Sequence, residues 1–188
     1  ENEAREGIWD NLYNPNNPSS YSFINRIKKS LDSIEDLNDK KIIDLGCGTG
    51  ALIPFVLNKN AHYTGVDNSV EMISVIKKKF FKEFSEGKIK LKLNNFIDIK
   101  NSEKFDIIIG LGFIEYFDEY EIIFDKISLL LNDNGQIILS FQSNSSFDFF
   151  MVKLLYIPRL IVSFMTGRKT KTPPRKLWSP NSAKRIFK

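Results

Sequence analysis

Cysteine and histidine are nearly absent from this chain, which has one of each among its 188 residues, Cys47 and His62. A single cysteine cannot form an internal disulfide, which excludes a disulfide-stabilised scaffold and favours a reducing compartment, so we predict a cytoplasmic protein. No suitable general base lies near Cys47 in the sequence, so we interpret it as a small buried thiol rather than a nucleophile. His62 begins a candidate strand and is interpreted as structural.

Long uninterrupted apolar runs are also absent. The longest apolar stretch, residues 147–165, is broken by charged residues and by Pro158. A helix that spans a bilayer needs roughly 20 largely uncharged residues. We therefore predict no transmembrane segment, and contact with a membrane surface through residues 147–176 is the alternative for this region.

A strong excess of one charge is missing as well. The 27 Lys and Arg residues against 23 Asp and Glu give a net charge of +4, which is too small to predict a nucleic-acid partner. The first residues lack the apolar core of a signal peptide. The chain also begins without Met, so we expect it to be a fragment. Its length fits one domain.

Strand-like and helix-like segments alternate along the sequence. Short apolar runs rich in β-branched residues are typical of strands buried on both faces, and amphipathic segments follow them at helical spacing. This alternation predicts a doubly wound α/β fold with a mostly parallel sheet and helices on both faces. The predicted strands are 41–45, 62–67, 89–93, 105–110 and 136–141, with a tight turn over 132–135, and the predicted helices are 20–37, 51–60, 69–86, 115–131 and 147–165, with another beginning at Ser179.

A glycine-rich loop, Gly46-Cys47-Gly48-Thr49-Gly50, follows the first predicted strand directly. In an open parallel sheet, ligands bind outside the carboxyl ends of the strands. Glycines there let the backbone turn sharply and approach a ligand closely, because no Cβ intervenes. The loop is therefore predicted to form the floor of a cofactor site.

Residues 42–50 resemble the glycine-rich first motif of class I S-adenosylmethionine-dependent methyltransferases. The resemblance implies that the loop, including Cys47, lies against the methionine part of S-adenosylmethionine and that Asp44 helps to hold its amino group. A rival interpretation is a dinucleotide-binding loop, because residues 46–51 also fit the Gly-x-Gly-x-x-Gly/Ala fingerprint. Asp44 before the first glycine and the additional glycine at position 50 favour the methyltransferase.

The second predicted strand ends in a carboxylate, Asp67, at roughly the 20-residue interval past the glycines that nucleotide-binding βαβ units show. It can accept hydrogen bonds from both hydroxyls of a ribose, so we predict it as the ribose ligand. Asn68 and Met72 resemble family positions that flank the ribose and adenine. The alternative for Asp67 is a helix cap, although Ser69 can serve as the cap instead.

The third predicted strand is followed by Asn95 and Phe96, where the family usually has an acid that accepts a hydrogen bond from the adenine amino group. The amide oxygen of Asn95 can still accept, but without charge. The resemblance therefore places Asn95 and Phe96 beside the adenine, and a structural role for Asn95 is the alternative.

Residues 105–117 resemble the fourth strand and following loop of small-molecule methyltransferases, where the loop lies between the sulfonium and the acceptor. The resemblance implies that Leu111 lies on the cofactor side and that Glu115 and Tyr116 lie on the acceptor side. Many relatives have His at the position of Tyr116, and an unperturbed phenol, with a pKa near about 10, is a poor base. We therefore predict in-line displacement by alignment of the reactants, without a metal. The alternative for Glu115 is a helix start, where acids are favoured.

These features predict three segments: a loop and helix over 1–40, an α/β core that binds the cofactor over 41–142, and an aromatic and basic helical segment over 143–188. The last is a candidate lid over a hydrophobic acceptor. The family normally adds a hairpin after the fifth strand, so we expect a C-terminally truncated chain with an exposed edge strand. The predicted activity is methyl transfer from S-adenosylmethionine to oxygen, nitrogen or carbon of a small molecule, and the alternatives are a non-catalytic S-adenosylmethionine-binding module and an NAD(P)-dependent dehydrogenase.

Overall fold

The structure, a computed structural model, describes residues 20–140. The predicted helix over 147–165, the helix from Ser179 and the candidate lid lie outside the described residues. The described residues divide into two compact units, the first containing 20–113 and 119–139 and the second containing 114–118 and Ser140. The sheet and the glycine loop both belong to the first unit.

Five strands form one sheet in the first unit, in the order β3-β2-β1-β4-β5, and all four pairings between neighbours are parallel. The chain runs outward from β1 to β3 and then continues on the other side of β1. The strand order therefore reverses between β1 and β4, the place where open α/β sheets bind ligands. The strands are β1 (Lys41–Leu45), β2 (His62–Asp67), β3 (Ile89–Leu93), β4 (Phe105–Gly110) and β5 (Leu131–Leu139).

The helices connect these strands, and two short 3₁₀ turns, Phe96–Asp98 and Ile114–Tyr116, follow β3 and β4. No helix within residues 20–140 has the length and apolar character needed to cross a membrane. The helices are α1 (Tyr21–Asp32), α2 (Ile53–Leu57), α3 (Val70–Lys79), α4 (Phe81–Ser85) and α5 (Tyr120–Leu130).

Both faces of the sheet are covered. Ile42 and Ile43 are neighbours in β1, so their side chains point to opposite faces, and both are fully buried. Ile42 belongs to a core cluster with Ile27 of α1, Val56 of α2 and Ile76 of α3. The buried residues of α5 lie outside that cluster, as does Ile43, which agrees with a right-handed β4-α5-β5 crossover that places α5 on the other face. The predicted doubly wound α/β fold is confirmed.

The first two predicted helices are shorter in the structure. The helix predicted over 20–37 ends at Asp32, before a polar segment whose side chains bond to the local backbone, as Asp36 does with the Asn38 amide. The helix predicted over 51–60 is only Ile53–Leu57, and Asn60 has a positive φ of 55°. A left-handed residue cannot continue a right-handed helix.

The third predicted helix, 69–86, is broken into α3 and α4 at Phe80, where φ is −117° and ψ is 40°. The break allows the Phe80 ring to pack against the core cluster close to Gly50. Helical periodicity in the sequence does not reveal such a break, because apolar residues continue at helical spacing through it.

The prediction was also wrong at the start of the fourth helix and of the fifth strand. The helix predicted over 115–131 begins only at Tyr120, and the strand predicted over 136–141 begins at Leu131. The register jumps from the pair Phe105 and Leu131 to the pair Ile107 and Gln136. Residues 132–135, predicted as a turn before the strand, therefore form an irregular segment within it, where two steps along β4 correspond to five along β5.

Candidate functional site

The glycine loop begins at the carboxyl end of β1 and is tied to the neighbouring strand β2. The amides of Gly46 and Cys47 both donate to the carbonyl oxygen of Val66, at 2.9 and 3.1 Å. The Gly50 amide donates to the Cys47 carbonyl at 2.9 Å and closes the turn. The loop therefore has a fixed backbone at the point where the strand order reverses.

The three glycines of this loop all have positive φ, but their missing side chains face different surroundings. A Cβ at Gly50 would lie 2.7 Å from Ile53 Cδ1, and one at Gly46 would lie 3.1 Å from Phe113 Cδ2. Within residues 20–140, no atom lies within 4 Å of a Cβ placed at Gly48. Gly50 therefore allows close packing against the core, whereas Gly48 borders space that the described residues leave empty, as the floor of a ligand site would.

Asp67 connects the end of β2 to the glycine loop. Its Oδ2 accepts a hydrogen bond from the Gly48 amide at 2.9 Å, and its Oδ1 accepts one from the Ser69 amide at 2.9 Å. The Ser69 hydroxyl in turn accepts from the Met72 amide, so Ser69 is the N-cap of α3, as the sequence suggested. A carboxylate has about four lone-pair sites, so Asp67 is held in place and can accept further hydrogen bonds.

Beneath the loop, the buried carboxylate of Asp44 accepts a 2.7 Å hydrogen bond from the Tyr63 hydroxyl. Burial raises the pKa of Asp44 to about 7, the Tyr63 hydrogen bond acts in the opposite direction, and the nearby Asp67 charge raises it further. Burial likewise raises the pKa of the Tyr63 hydroxyl well above its ordinary value, with the Asp44 charge adding to the effect. Asp44 therefore changes charge close to neutral pH.

Gly65, the residue beside Asp44 in the β1-β2 register, provides the space for this pair. A Cβ at Gly65 would lie 2.9 Å from Cys47 Sγ, 3.0 Å from Tyr63 Cε1 and 3.1 Å from the Tyr63 hydroxyl oxygen. Cys47 is buried, and burial raises the pKa of its thiol, with the Asp44 charge second. A neutral buried thiol agrees with the prediction that Cys47 is not a nucleophile.

An aromatic pair extends from the loop towards the end of β3. Phe96 and Phe113 pack edge to face, with ring centroids 5.5 Å apart and planes at 86°. Both rings are buried, and Phe113 is also the side chain nearest to Gly46. Phe96, predicted beside the adenine, thus packs its ring against the side chain that supports the loop.

Asn95 has a clear local role. Its side-chain oxygen accepts a hydrogen bond from the Ile97 amide at 3.4 Å and caps the 3₁₀ turn that begins at Phe96. The preceding amide, of Asn94, donates to the Asp67 carbonyl at 3.0 Å. The structure therefore brings Asn95 to the same edge of the sheet as Asp67, and its exposed side chain remains a predicted adenine neighbour.

The remaining residues predicted to bind the cofactor differ in exposure. Asn68 is exposed, Met72 is half-buried in the first turn of α3, and Leu111 is partly buried and packs against the core cluster. Hydrogen bonds thus join Gly48 to Asp67, and Gly46 and Cys47 to Val66. The assignment of each of the predicted residues to the cofactor stays a prediction.

Glu115 and Tyr116 lie in the 3₁₀ turn Ile114–Tyr116, which belongs to the second unit. Glu115 is buried, whereas Tyr116 is 50% exposed. Because α5 begins at Tyr120, the interpretation of Glu115 as a residue of its first turn was wrong. Their assignment to the acceptor side stays a prediction.

Sequence reasoning missed Tyr63, Gly65 and Phe113. A glycine inside a buried strand marks a close approach of another group, so Gly65 was a usable signal that a large side chain lies beside Asp44. No comparable signal distinguishes Phe113 from the other apolar residues after β4.

The comparisons with known proteins agree with this geometry. The family described as "Methyltransferase domain" matches residues 36–156. (S)-coclaurine N-methyltransferase from Papaver somniferum is 35% identical over 98 residues, which are 51% of this chain and 28% of that protein. Ubiquinone biosynthesis O-methyltransferase from Pelagibacter ubique is 30% identical over 107 residues, which are 57% of this chain and 44% of that protein. The chain therefore spans less than half the length of these relatives.

A solved structure supports the fold. Magnesium protoporphyrin IX methyltransferase from Synechocystis PCC 6803, solved with bound SAH, aligns with a TM-score of 0.71 at 17% identity, over 99% of this chain and 83% of that chain. At that identity the likeness concerns the fold alone. The family match and this likeness in fold agree with the resemblance of the glycine loop. The chain belongs to the methyltransferase domain family and has the class I fold.

Proposed function

We propose that this chain binds S-adenosylmethionine at the glycine loop and transfers its methyl group to a small-molecule nucleophile. The observation that carries the proposal is the pairing of Gly48 with Asp67. Gly48 borders space that no described residue occupies, and the Asp67 carboxylate at the end of β2 is held beside it by two backbone hydrogen bonds. Glycine, carboxylate and strand-order reversal coincide at one place, as a nucleoside site requires.

The residues present fit this cofactor. A methyl group at position 48 would occupy the open space above the loop, so the glycine keeps room for a ligand. Asp67 retains lone pairs for the two ribose hydroxyls after it has accepted the Gly48 and Ser69 amides. Asp44 uses Oδ2 for Tyr63, which leaves Oδ1 as an acceptor for an amino group.

The chain's own contribution is position. When bound, S-adenosylmethionine supplies a methyl group on a positively charged sulfur, and S-adenosylhomocysteine remains after transfer. Asp67 and Asp44 fix two ends of the bound molecule, and alignment with the nucleophile can supply several kcal/mol, on the order of 7 to 11 in well-oriented systems. We assign Glu115 and Tyr116 to the orientation of the acceptor.

The relatives support a small-molecule acceptor. A coclaurine N-methyltransferase and a ubiquinone biosynthesis O-methyltransferase are among the proteins that this chain resembles. We therefore propose a small molecule with a nitrogen or oxygen nucleophile as the acceptor. Its hydrophobic character, the core boundaries 41–142 and the cytoplasmic location are predictions of the sequence.

Calorimetric titration of the chain with S-adenosylmethionine, S-adenosylhomocysteine and NAD tests the cofactor. Saturable binding of the two adenosyl ligands is expected. Binding of NAD alone, or of none of the three by a folded chain, contradicts the proposal.

Turnover is a separate test. Transfer of label from methyl-labelled S-adenosylmethionine to a panel of small amines and phenols is expected. Tight cofactor binding with no transfer to any panel member, when the full-length protein is also inactive, favours a non-catalytic binding module.

A further inference from the structure

We propose that Tyr63 is a positioning residue for cofactor binding: its hydroxyl holds the buried Asp44 carboxylate so that the free oxygen receives the cationic amino group of the ligand. This inference rests on the proposed function and deepens it. It assigns a role to a side chain that lies one strand away from the glycine loop motif.

The geometry limits what Asp44 can do without Tyr63. Asp44 is 5% exposed and Tyr63 is 1% exposed, so neither side chain has free access to water. Burying an ionised carboxylate without a hydrogen-bond partner is costly. The 2.7 Å bond from Tyr63 to Oδ2 supplies that partner and orients the carboxylate, because one of its two oxygens is fixed.

Three other titratable groups lie near Asp44. The Tyr63 hydroxyl lies on the neighbouring strand, the Cys47 thiol lies in the loop, and the Asp67 carboxylate stands at the end of β2. Tyr63 and Cys47 are neutral at physiological pH because burial raises the pKa of each. The groups that can carry charge are then two carboxylates, Asp44 and Asp67, and this arrangement favours a ligand with a positive charge.

Gly65 preserves the arrangement. A side chain at this position would come within 3.1 Å of the Tyr63 hydroxyl oxygen and within 2.9 Å of Cys47 Sγ. Because Gly65 has no Cβ, the Tyr63 ring can lie beside this position and reach Asp44. Asp44 is the residue of β1 that pairs with Gly65. Tyr63, Gly65 and Asp44 form one unit beneath the loop.

The test compares two ligands that differ only in the amino group: S-adenosylhomocysteine and its deamino analogue. Tyr63→Phe is expected to weaken S-adenosylhomocysteine roughly fivefold to tenfold and to leave the deamino analogue within about twofold. The control is Tyr21→Phe, the same chemical change at a side chain that is 71% exposed. It is expected to leave both affinities unchanged.

The pH dependence of the affinity for S-adenosylhomocysteine is a second measurement, and a loss of packing alone would not change it. The Tyr63 hydrogen bond lowers the pKa of Asp44, so its removal raises that pKa. The pH below which S-adenosylhomocysteine affinity falls is therefore expected to move upward in Tyr63→Phe. At pH values above this midpoint, Tyr63→Phe is expected to recover part of the affinity that it lost.

Different failures remain distinguishable. If the wild-type chain binds neither ligand, the proposed function fails and this inference fails with it. If the wild type binds both ligands and Tyr63→Phe binds them with unchanged affinity and midpoint, only the inference fails. Equal weakening of both ligands by Tyr63→Phe overturns it too, because the effect is then not directed at the amino group.

A second variant covers the case in which Tyr63→Phe does not fold. Incorporation of 3-fluorotyrosine in place of Tyr63 keeps the ring and the hydroxyl and makes the hydroxyl a stronger donor. The pH at which the affinity for S-adenosylhomocysteine is half-maximal is then expected to decrease. An unchanged midpoint overturns the inference.

Discussion

The Asp67 carboxylate holds the amide of Gly48: Oδ2 accepts its hydrogen at 2.9 Å, across 19 positions of sequence. The bond joins the end of β2 to Gly48, the loop glycine beside which the described part of the chain leaves space. The predicted ribose ligand is therefore also a support of the loop. A change at Asp67 should alter both ligand binding and the stability of the loop.

Asp67→Ala is expected to weaken the binding of S-adenosylhomocysteine by at least about 100-fold, because two charge-assisted hydrogen bonds to the ribose, each worth about 1.5 to 3 kcal/mol, are lost. The loop also loses its acceptor, and a Tm decrease accompanies the change. Calorimetry and thermal denaturation measure the two effects. Asp125→Ala, at an exposed acid of α5, is the matched control, and equal effects in both variants would contradict the assignment.

Asp44→Asn is expected to stabilise the chain at neutral and alkaline pH while it reduces cofactor binding. Burial raises the pKa of Asp44 from 3.8 to about 7 in the folded state, so the folded chain retains a proton that the unfolded chain has released. The stability that this group contributes is therefore greatest at low pH and declines as pH rises to about 7.

The gain in Asp44→Asn should approach zero near about pH 4 and reach at most about 4 kcal/mol above about pH 8. Denaturant unfolding at several pH values measures it, with Asp125→Asn as the control. A gain that does not change with pH would show that the carboxylate charge is not its source.

Gly48→Ala and Gly50→Ala are expected to separate binding from stability. Both residues have positive φ, 53° and 78°, and this costs an alanine roughly 1 to 2 kcal/mol. At Gly50 the added carbon would also lie 2.7 Å from Ile53, and overpacking adds about 1 to 3 kcal/mol. Gly50→Ala should therefore be the less stable variant, whereas Gly48→Ala should lose affinity for the cofactor.

Gly87→Ala is the control for that comparison. Gly87 has a φ of 72° and, like Gly48, no atom of residues 20–140 within 4 Å of an added Cβ, but it lies between α4 and β3. It should match the stability loss of Gly48→Ala with cofactor affinity unchanged. If Gly87→Ala lowers affinity as strongly as Gly48→Ala, the loss reflects backbone strain rather than the ligand space.

Gly65→Ala is expected to destabilise the chain by about 1 to 3 kcal/mol, because the added methyl group overpacks a buried site between Cys47 and Tyr63. Cys47→Ala removes the nearest of these atoms, so the double variant should recover part of the loss. Denaturant unfolding of both single variants and the double variant measures the coupling. Strict additivity would mean that the thiol is not the obstructing group.

Much of this site was predictable because its parts are local in sequence. The strand 41–45, the glycines after it and the Asp67-Ser69 end of β2 each follow from short-range patterns, and the structure places them as predicted. The Tyr63-Asp44 bond was not predictable in the same way. It joins residues 19 positions apart and depends on the register of two strands and on the empty position at Gly65.

The errors have related causes. Apolar residues at helical spacing continue past Phe80, and only the packing of that ring near Gly50 ends α3. Residues 132–135 have the composition of a turn, but they lie within β5 and form an irregularity in its register with β4. In both cases contacts that are distant in sequence determine what the local pattern leaves open.

The burial of Asp44 also makes ligand binding an exchange of cations. A cationic amino group that reaches this carboxylate favours its ionised form, so below about pH 7 the chain must release a proton as the ligand arrives. The heat measured on binding should then vary with the ionisation enthalpy of the buffer, and the deamino ligand should not show this dependence. On this account, a slightly acidic cell would reduce cofactor occupancy with no change in cofactor concentration.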